Sequence, residues 1–132
     1  MHSKLMTQLV LHEGLELKPY RCPAGALTIG VGHNLDDLGL TRCQAMNLLE
    51  DDIRRVRREL GAYYQWFYAL DTVRRDALTN MAFNLGLTRF RRFQRMVTAI
   101  EQKDYDKAAD EMLNSKWALQ VGQRAEELAQ IM

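Results

Sequence analysis

Three residues able to do chemistry stand near the start of the chain: Glu13, Cys22 and Thr28. Eight residues separate the acid from the thiol, and five separate the thiol from the hydroxyl. Cleavage of a glycosidic bond requires a carboxylic acid that protonates the leaving oxygen. It also needs a second group, on the other side of the sugar, that supports water or the developing positive charge. An acid held in a partly apolar cleft has its pKa raised and stays protonated near neutrality. Singly, each residue has a plainer reading. Glu13 is then a solvated helix-end carboxylate, Cys22 a half-buried hairpin thiol, and Thr28 a simple strand former.

The surrounding sequence shows what would position them. Ser3 is suited to cap a first helix, in which Leu5, Met6, Leu9 and Val10 fall on one face. Gly14 is its stop, so Glu13 sits in the last turn, where the helix dipole disfavours a carboxylate. Leu27, Ile29 and Val31 then alternate with Thr28, Gly30 and Gly32, a strand period. Cys22-Pro23-Ala24-Gly25 fits a type I turn, so Tyr20-Arg21-Cys22 and Leu27-Thr28-Ile29 read as a hairpin. Thr28 points away from the packing of Leu27, Ile29 and Val31, which lets the helix end and the hairpin face each other across a groove. Gly30 and Gly32 let another group approach the backbone closely.

Asp36 to Gly39 reads as a loop. Thr41 with Gln44 makes a capping box for a long helix to Leu60, with Ala45, Leu49, Ile53, Val56 and Leu60 as its inner stripe and Gly61 as its end. At about 30 Å it is long enough to link two lobes. Asp71 caps a helix to Gly86 that is apolar on most sides and therefore central. One helix is expected around Phe90 to Ile100, one around Ala108 to Leu113, and a last one from Gln123 to Ile131.

Composition sets outer bounds. The chain has 132 residues, with 18 Lys+Arg against 17 Asp+Glu for a net charge of +1, and is 47% hydrophobic. That is one ordinary globular domain with enough apolar residues for a real core. A balance so near zero argues against a general nucleic-acid binder, for which only the Arg clusters speak. No run approaches the roughly 18 apolar residues of a membrane span, and no signal peptide is seen. Cys22 and Cys43 are too few for a disulfide scaffold, and their spacing matches no zinc framework, so no metal or cofactor is expected.

The segment Glu13 to His33, with its Glu, Cys and Thr and the following Ile29-Gly30-Val31-Gly32-His33, resembles the active-site stretch of the phage T4-type lysozymes, the endolysins of glycoside hydrolase family 24. Leu70 to Arg75, Asn80 to Gly86, Ser115-Lys116-Trp117 and Arg124-Ala125 resemble later parts of the same family, so the likeness covers nearly the whole chain. It reverses the plain readings of Glu13, Cys22 and Thr28. The resemblance implies an α+β, mainly α, lysozyme-like fold in a single domain spanning 1–132. A small β lobe (14–40) and a helical lobe (1–13 and 61–132) would be joined by the helix 41–60, with the cleft between them.

The activity implied is a muramidase cutting the β-1,4 bond between N-acetylmuramic acid and N-acetylglucosamine in peptidoglycan. Glu13 is then the general acid, Cys22 stands in the place of the second catalytic residue, and Thr28 helps hold the attacking water. Leu35, Phe83, Gly32 and His33 fall at substrate-contacting positions. Arg124 matches an Arg that pairs with the acid, Asn80 reaches that pair, and Asp52 matches the carboxylate partner of His33. The partner is the peptidoglycan glycan strand, met by a monomer that neither inserts into membrane nor binds nucleic acid. The enzyme would wait in the host cytoplasm until a separate holin-like protein released it to the periplasm and wall.

The departures from the family pattern matter. A free thiol at Cys22 is mostly neutral at pH 7 unless a positive neighbour lowers its pKa, and alternation turns Arg21 away. Lytic transglycosylation of the same bond, which needs one Glu and no second acid, is the alternative reaction; a wall-binding module without catalysis is the alternative class. Only seven residues separate His33 from Thr41, which shortens the upper lip of the cleft. Met96 and Glu111 stand where the family often has polar sugar contacts. Of the remaining features, the Arg54–Arg58 cluster reads as a solvated, ion-paired helix face. Arg89, Arg91, Arg92 and Arg95 form a denser basic patch. The aromatic run from Tyr63 to Tyr68 reads first as packing between the lobes and second as a sugar platform.

Overall fold

A computed structural model describes residues 2–132. The chain divides into two compact units, Met1–Leu48 and Leu49–Met132.

The first unit opens with α1 (Ser3–Glu13), and Gly14 closes it by donating its N–H to the Val10 carbonyl at 2.9 Å. The expected Ser3 cap is not formed. Ser3 lies inside the helix, and its carbonyl accepts from the Thr7 hydroxyl. A three-stranded antiparallel sheet follows in the order β1 (Glu16–Arg21), β2 (Leu27–Gly30), β3 (His33–Asn34). The hairpin register pairs Tyr20 with Thr28 and Arg21 with Leu27, and the turn closes through Gly25 N–H to Cys22 O at 2.8 Å. The segment after β3 is not the loop expected. Residues Leu35–Leu38 form one helical turn, α2, because the Asn34 side chain accepts from Asp37 N–H at 3.0 Å and so provides a cap.

The capping box forms as its residues dictate, with Gln44 N–H to Thr41 Oγ1 at 3.1 Å and Thr41 N–H to Gln44 Oε1 at 2.9 Å. It starts α3 (Arg42–Tyr63), which spans the boundary between the units and runs past Gly61 rather than stopping there. Gly61 serves a different purpose: a Cβ at that position would collide with the Tyr68 ring.

The second unit is helical throughout. After a 3-10 turn (Phe67–Ala69) come α4 (Thr72–Leu85), α5 (Leu87–Phe90), α6 (Gln94–Glu101), α7 (Tyr105–Leu113), α8 (Lys116–Val121) and α9 (Gln123–Ile131). Asp71 caps α4 through Arg74 N–H at 3.2 Å. As expected, α4 is central: it buries Ala77, Leu78, Thr79, Met81, Ala82 and Leu85 and packs on α5 and α9. The single helix expected from Phe90 to Ile100 is two, broken where the N–H groups of Arg92 and Phe93 turn back to Arg89 and Phe90. Leu60, Phe67, Leu78, Met81, Phe90, Met96 and Met112 are fully buried, each contributing about 1.5–3 kcal/mol of apolar burial. Of the stripe on α3, Val56 and Leu60 join this core. Trp117 is also core, its indole N–H donating to Asn84 Oδ1 at 2.8 Å. Among the described residues, no helix is long and apolar enough to cross a membrane.

Candidate active site

In the first unit the three reactive residues are placed by α1, the hairpin turn and β2. Glu13 is the last residue of α1 and is exposed. Its carboxylate lies against the β2–β3 turn: a Cβ built on Gly32 would stand 3.2 Å from Glu13 Oε2. Gly32 has φ +66°, and the close approach anticipated for it is therefore made by the acid itself. Gly30 has nothing within 4 Å of its Cβ position.

Cys22 sits half-buried at the start of the hairpin turn. Its thiol pKa is lowered from the usual 9.0, first by the Ala26 N–H, with further help from the Ala24 and Gly25 N–H groups and the Thr28 hydroxyl. Burial opposes the shift without cancelling it. No positive side chain contributes. The Arg21 guanidinium is engaged elsewhere, with Gly25 O at 3.2 Å and Asp36 Oδ2 at 3.5 Å. The backbone dipoles of a tight turn thus lower the thiol pKa where no cation does. Cys22 and Cys43 are both free thiols.

Thr28 departs from expectation. It is only 3% exposed, more deeply buried than Leu27 or Ile29, so its side chain does not face open solvent. Its hydroxyl donates to Ala26 O at 2.9 Å, and the same carbonyl accepts the Cys22 N–H at 2.9 Å. A Thr directly beside a tight turn folds its hydroxyl back onto the turn carbonyl, a local bond that period-two alternation does not foresee.

His33 and Leu35 follow in β3 and α2, both half-buried, with His33 Nε2 2.7 Å from Gly39 O. Asp36 has a structural part that its place in an acidic loop segment does not reveal. Besides Arg21, its Oδ2 accepts the Leu27 N–H at 2.7 Å, which ties α2 to the first residue of β2 and holds the hairpin in place. The only sequence signal was its acidity in a segment read as loop.

In the second unit Asn80 and Arg124 are brought together. Asn80 Oδ1 accepts from Arg124 Nε at 2.9 Å and from Nη2 at 2.7 Å, and Nη2 also donates to Asn80 O at 3.2 Å. The guanidinium is thereby fixed in direction while remaining partly accessible. The two residues line an open cavity of about 440 Å³ with Leu49, Ile53 and the exposed ring of Phe83. Arg57, also on its wall, is paired with Asp76 at 2.8 Å. Asp52 is paired with Arg55 at 3.7 Å. Met96 is fully buried and lines a separate groove with Glu111.

A sequence model of the phage lysozyme family matches residues 10–130. The chain is similar to an endolysin of Acyrthosiphon pisum secondary endosymbiont phage 1, 33% identical over 111 residues that cover 81% of this chain and 72% of the relative. It is 28% identical over 127 residues to a SAR-endolysin of Escherichia phage Mu, covering 93% and 71%. It is 29% identical over 119 residues to an endolysin of Salmonella phage P22, covering 84% and 80%.

Proposed function

The chain belongs to the phage lysozyme family, and from that premise we propose that it is a peptidoglycan muramidase with Glu13 as its general acid. Glu13 protonates the oxygen that links N-acetylmuramic acid to N-acetylglucosamine, and the C1–O bond breaks with oxocarbenium character. Cys22, as thiolate, takes a proton from the water that attacks C1. The Glu13 carboxylate and the Cys22 thiol then exchange protons with solvent to restore the starting state. Thr28 assists by helping to hold the attacking water. Leu35, Gly32, His33 and Phe83 are sugar contacts, and Arg124, Asn80 and Asp52 are supports. These roles are carried over from the family pattern, residue by residue.

The observation that carries the reading is the hairpin unit. The end of α1 lays a carboxylate against the β2–β3 turn, and the β1–β2 turn holds a thiol whose ionised form is favoured by backbone N–H groups. One observation favours transglycosylation as a second reading: the Thr28 hydroxyl is buried and given to Ala26 O rather than turned toward water. In that reaction the C6 hydroxyl of the muramic acid replaces water as the attacking group.

Mass spectrometry of digested peptidoglycan separates the two. Reducing-end products establish hydrolysis, and products lighter by one water establish transglycosylation. Glu13→Gln should abolish release of either product while the helical circular dichroism persists. Full lysis by that variant would refute the assignment of Glu13.

A further inference from the structure

On the second unit a groove of about 600 Å³ runs between the end of α3 and the α5–α6 segment. Its wall carries Tyr63, Tyr64, Arg91, Arg92, Thr88 and Thr98, and no carboxylate lines it. The cations are available. Among the described residues, no ion pair involves Arg91 or Arg92, nor Arg89 and Arg95 beside them. This sets the patch apart from Arg54, Arg55 and Arg57, each of which has an acidic partner. The neighbouring groove, which shares Arg92, differs in containing Glu111.

The groove is also built rather than loose. The Arg91 guanidinium lies 4.1 Å from the centroid of the Tyr63 ring, a cation–π contact that restricts a side chain otherwise rich in rotamers. Tyr63 stands edge-on to Tyr64 at 4.9 Å, and Tyr64 stacks on Trp66 at 4.8 Å, so the platform is rooted in the core. Tyr63 keeps half its surface exposed. The acidic group nearest in effect is Glu101 on α6, whose field reaches Tyr64 together with that of Arg91. Two exposed, unpaired guanidinium groups beside an aromatic surface and several hydroxyls suit a phosphate ester carried on a polyhydroxylated chain. Arg forks bind phosphate oxygens in pairs, while the ring and hydroxyls meet the chain itself.

We infer that this groove, with Arg91 and Arg92 as phosphate ligands and Tyr63 as platform, is a binding site for phosphate-bearing glycans of the bacterial envelope. The choice of envelope as the source rests on the peptidoglycan-lysing reading. The site itself is separate from Glu13, Cys22 and Thr28, and it would hold the enzyme at the wall while strands are cut.

The test uses the full chain carrying Glu13→Gln, so that binding is read without cleavage and apart from the muramidase assignment. Fluorescence titration is made with two probes of different origin: poly(glycerol phosphate), the wall-linked form, and a phosphorylated lipopolysaccharide, the lipid-linked form. Each is repeated after enzymatic dephosphorylation, and a DNA duplex is titrated alongside. Saturable binding is expected to one phosphorylated probe, and dephosphorylation should weaken it at least tenfold.

Arg91→Gln and Arg92→Gln should each weaken that binding about tenfold and the double variant about a hundredfold. In the chain that keeps Glu13, by contrast, the same Arg changes should leave hydrolysis of soluble, unphosphorylated muropeptide oligomers unchanged, and an unchanged circular dichroism spectrum shows that every variant folds. Absence of binding to both probes, binding indifferent to phosphate, or binding unaffected by either single Arg variant would overturn the proposal. DNA binding as tight as glycan binding and equally Arg-dependent would reassign the patch to nucleic acid and overturn it too.

Discussion

The contact between Gly32 and Glu13 yields a prediction with its own control. Gly30 and Gly32 both hold a positive φ, +69° and +66°. Replacing either by Ala forces a Cβ into the left-handed region at a cost of about 1 kcal/mol, which lowers the melting temperature by roughly 4 °C. The two positions differ in what the new methyl meets. At Gly30 it meets nothing within 4 Å, whereas at Gly32 it comes 3.2 Å from Glu13 Oε2 and 3.6 Å from its carboxyl carbon. Ordinary contact lies near 3.5 Å or beyond, so the carboxylate must retreat by about 0.3–0.5 Å. If a 1 Å misplacement of a reacting group costs about a hundredfold, this retreat costs roughly four- to tenfold in kcat. Gly30→Ala should therefore lose stability but keep kcat, and Gly32→Ala should lose both. The assay is release of reducing ends from soluble muropeptide oligomers, with melting followed by circular dichroism. A pure sugar-contact role for Gly32 would instead raise KM at constant kcat. Equal kcat in the two variants would refute the idea that the β2–β3 turn sets the position of the acid.

Further predictions rest on other parts of the molecule. In a Cys43→Ser background, the pH midpoint for alkylation of Cys22 by iodoacetamide should lie below 9.0 in the folded chain and rise on unfolding in urea; an unmoved midpoint would show that the turn amides do not favour the thiolate. Cys22→Asp should retain activity, since a carboxylate accepts the same N–H groups, while Cys22→Ala should lose about a hundredfold or more if Cys22 is a base. Gly61→Ala should destabilise by about 2 kcal/mol through collision with the Tyr68 ring, yet stabilise by up to about 1 kcal/mol in a Tyr68→Ala background, where only its helix propensity is left. The Asp71 carboxyl has its pKa lowered below the usual 3.8, chiefly by the Arg74 N–H. Its charge therefore stabilises the fold fully above pH 3.8, and that contribution is lost as pH falls through the lower folded value. Asp71→Asn keeps a capping oxygen, so its deficit against the parent chain in urea melts should shrink below about pH 4; a constant deficit would contradict the linkage.

What could be read in the sequence is what neighbours along the chain decide. Thr41 and Gln44 are three residues apart and cap each other, Asp71 caps the N–H three residues on, and Gly14 follows the last turn of α1. The hairpin follows from turn chemistry and alternation of the same short range, and the central place of α4 from its being apolar on most sides. The misreadings have a common cause. Glycine after an apolar stripe reads as a helix stop, but the ring that requires Gly61 belongs to Tyr68, seven residues on. The role of Asp36 is not legible locally because its partners, Leu27 and Arg21, lie nine and fifteen residues back. The break between α5 and α6 is hidden because Phe90, Phe93, Met96 and Ile100 keep a helical spacing across a turn that is not α-helical.

The candidate site divides along the same line, and Cys22 shows why. Glu13, Cys22 and Thr28 could be found by type and spacing, but the ionisation of Cys22 could not, because it depends on no side chain of distinctive type. The Ala26 carbonyl gathers the Cys22 N–H and the Thr28 hydroxyl, while the Ala26, Ala24 and Gly25 N–H groups turn toward the sulfur. Almost any residues at those positions would supply the same dipoles, provided the turn closed in the same way. The Thr28 hydroxyl has one proton and two acceptors within reach of its rotor, the Ala26 carbonyl and the sulfur. It rests on the carbonyl, and the negative charge of a thiolate would compete for it. Charge on Cys22 and the direction of the Thr28 proton are therefore coupled inside a closed turn. A thiol placed there has its ionised form favoured by backbone N–H groups without any cation.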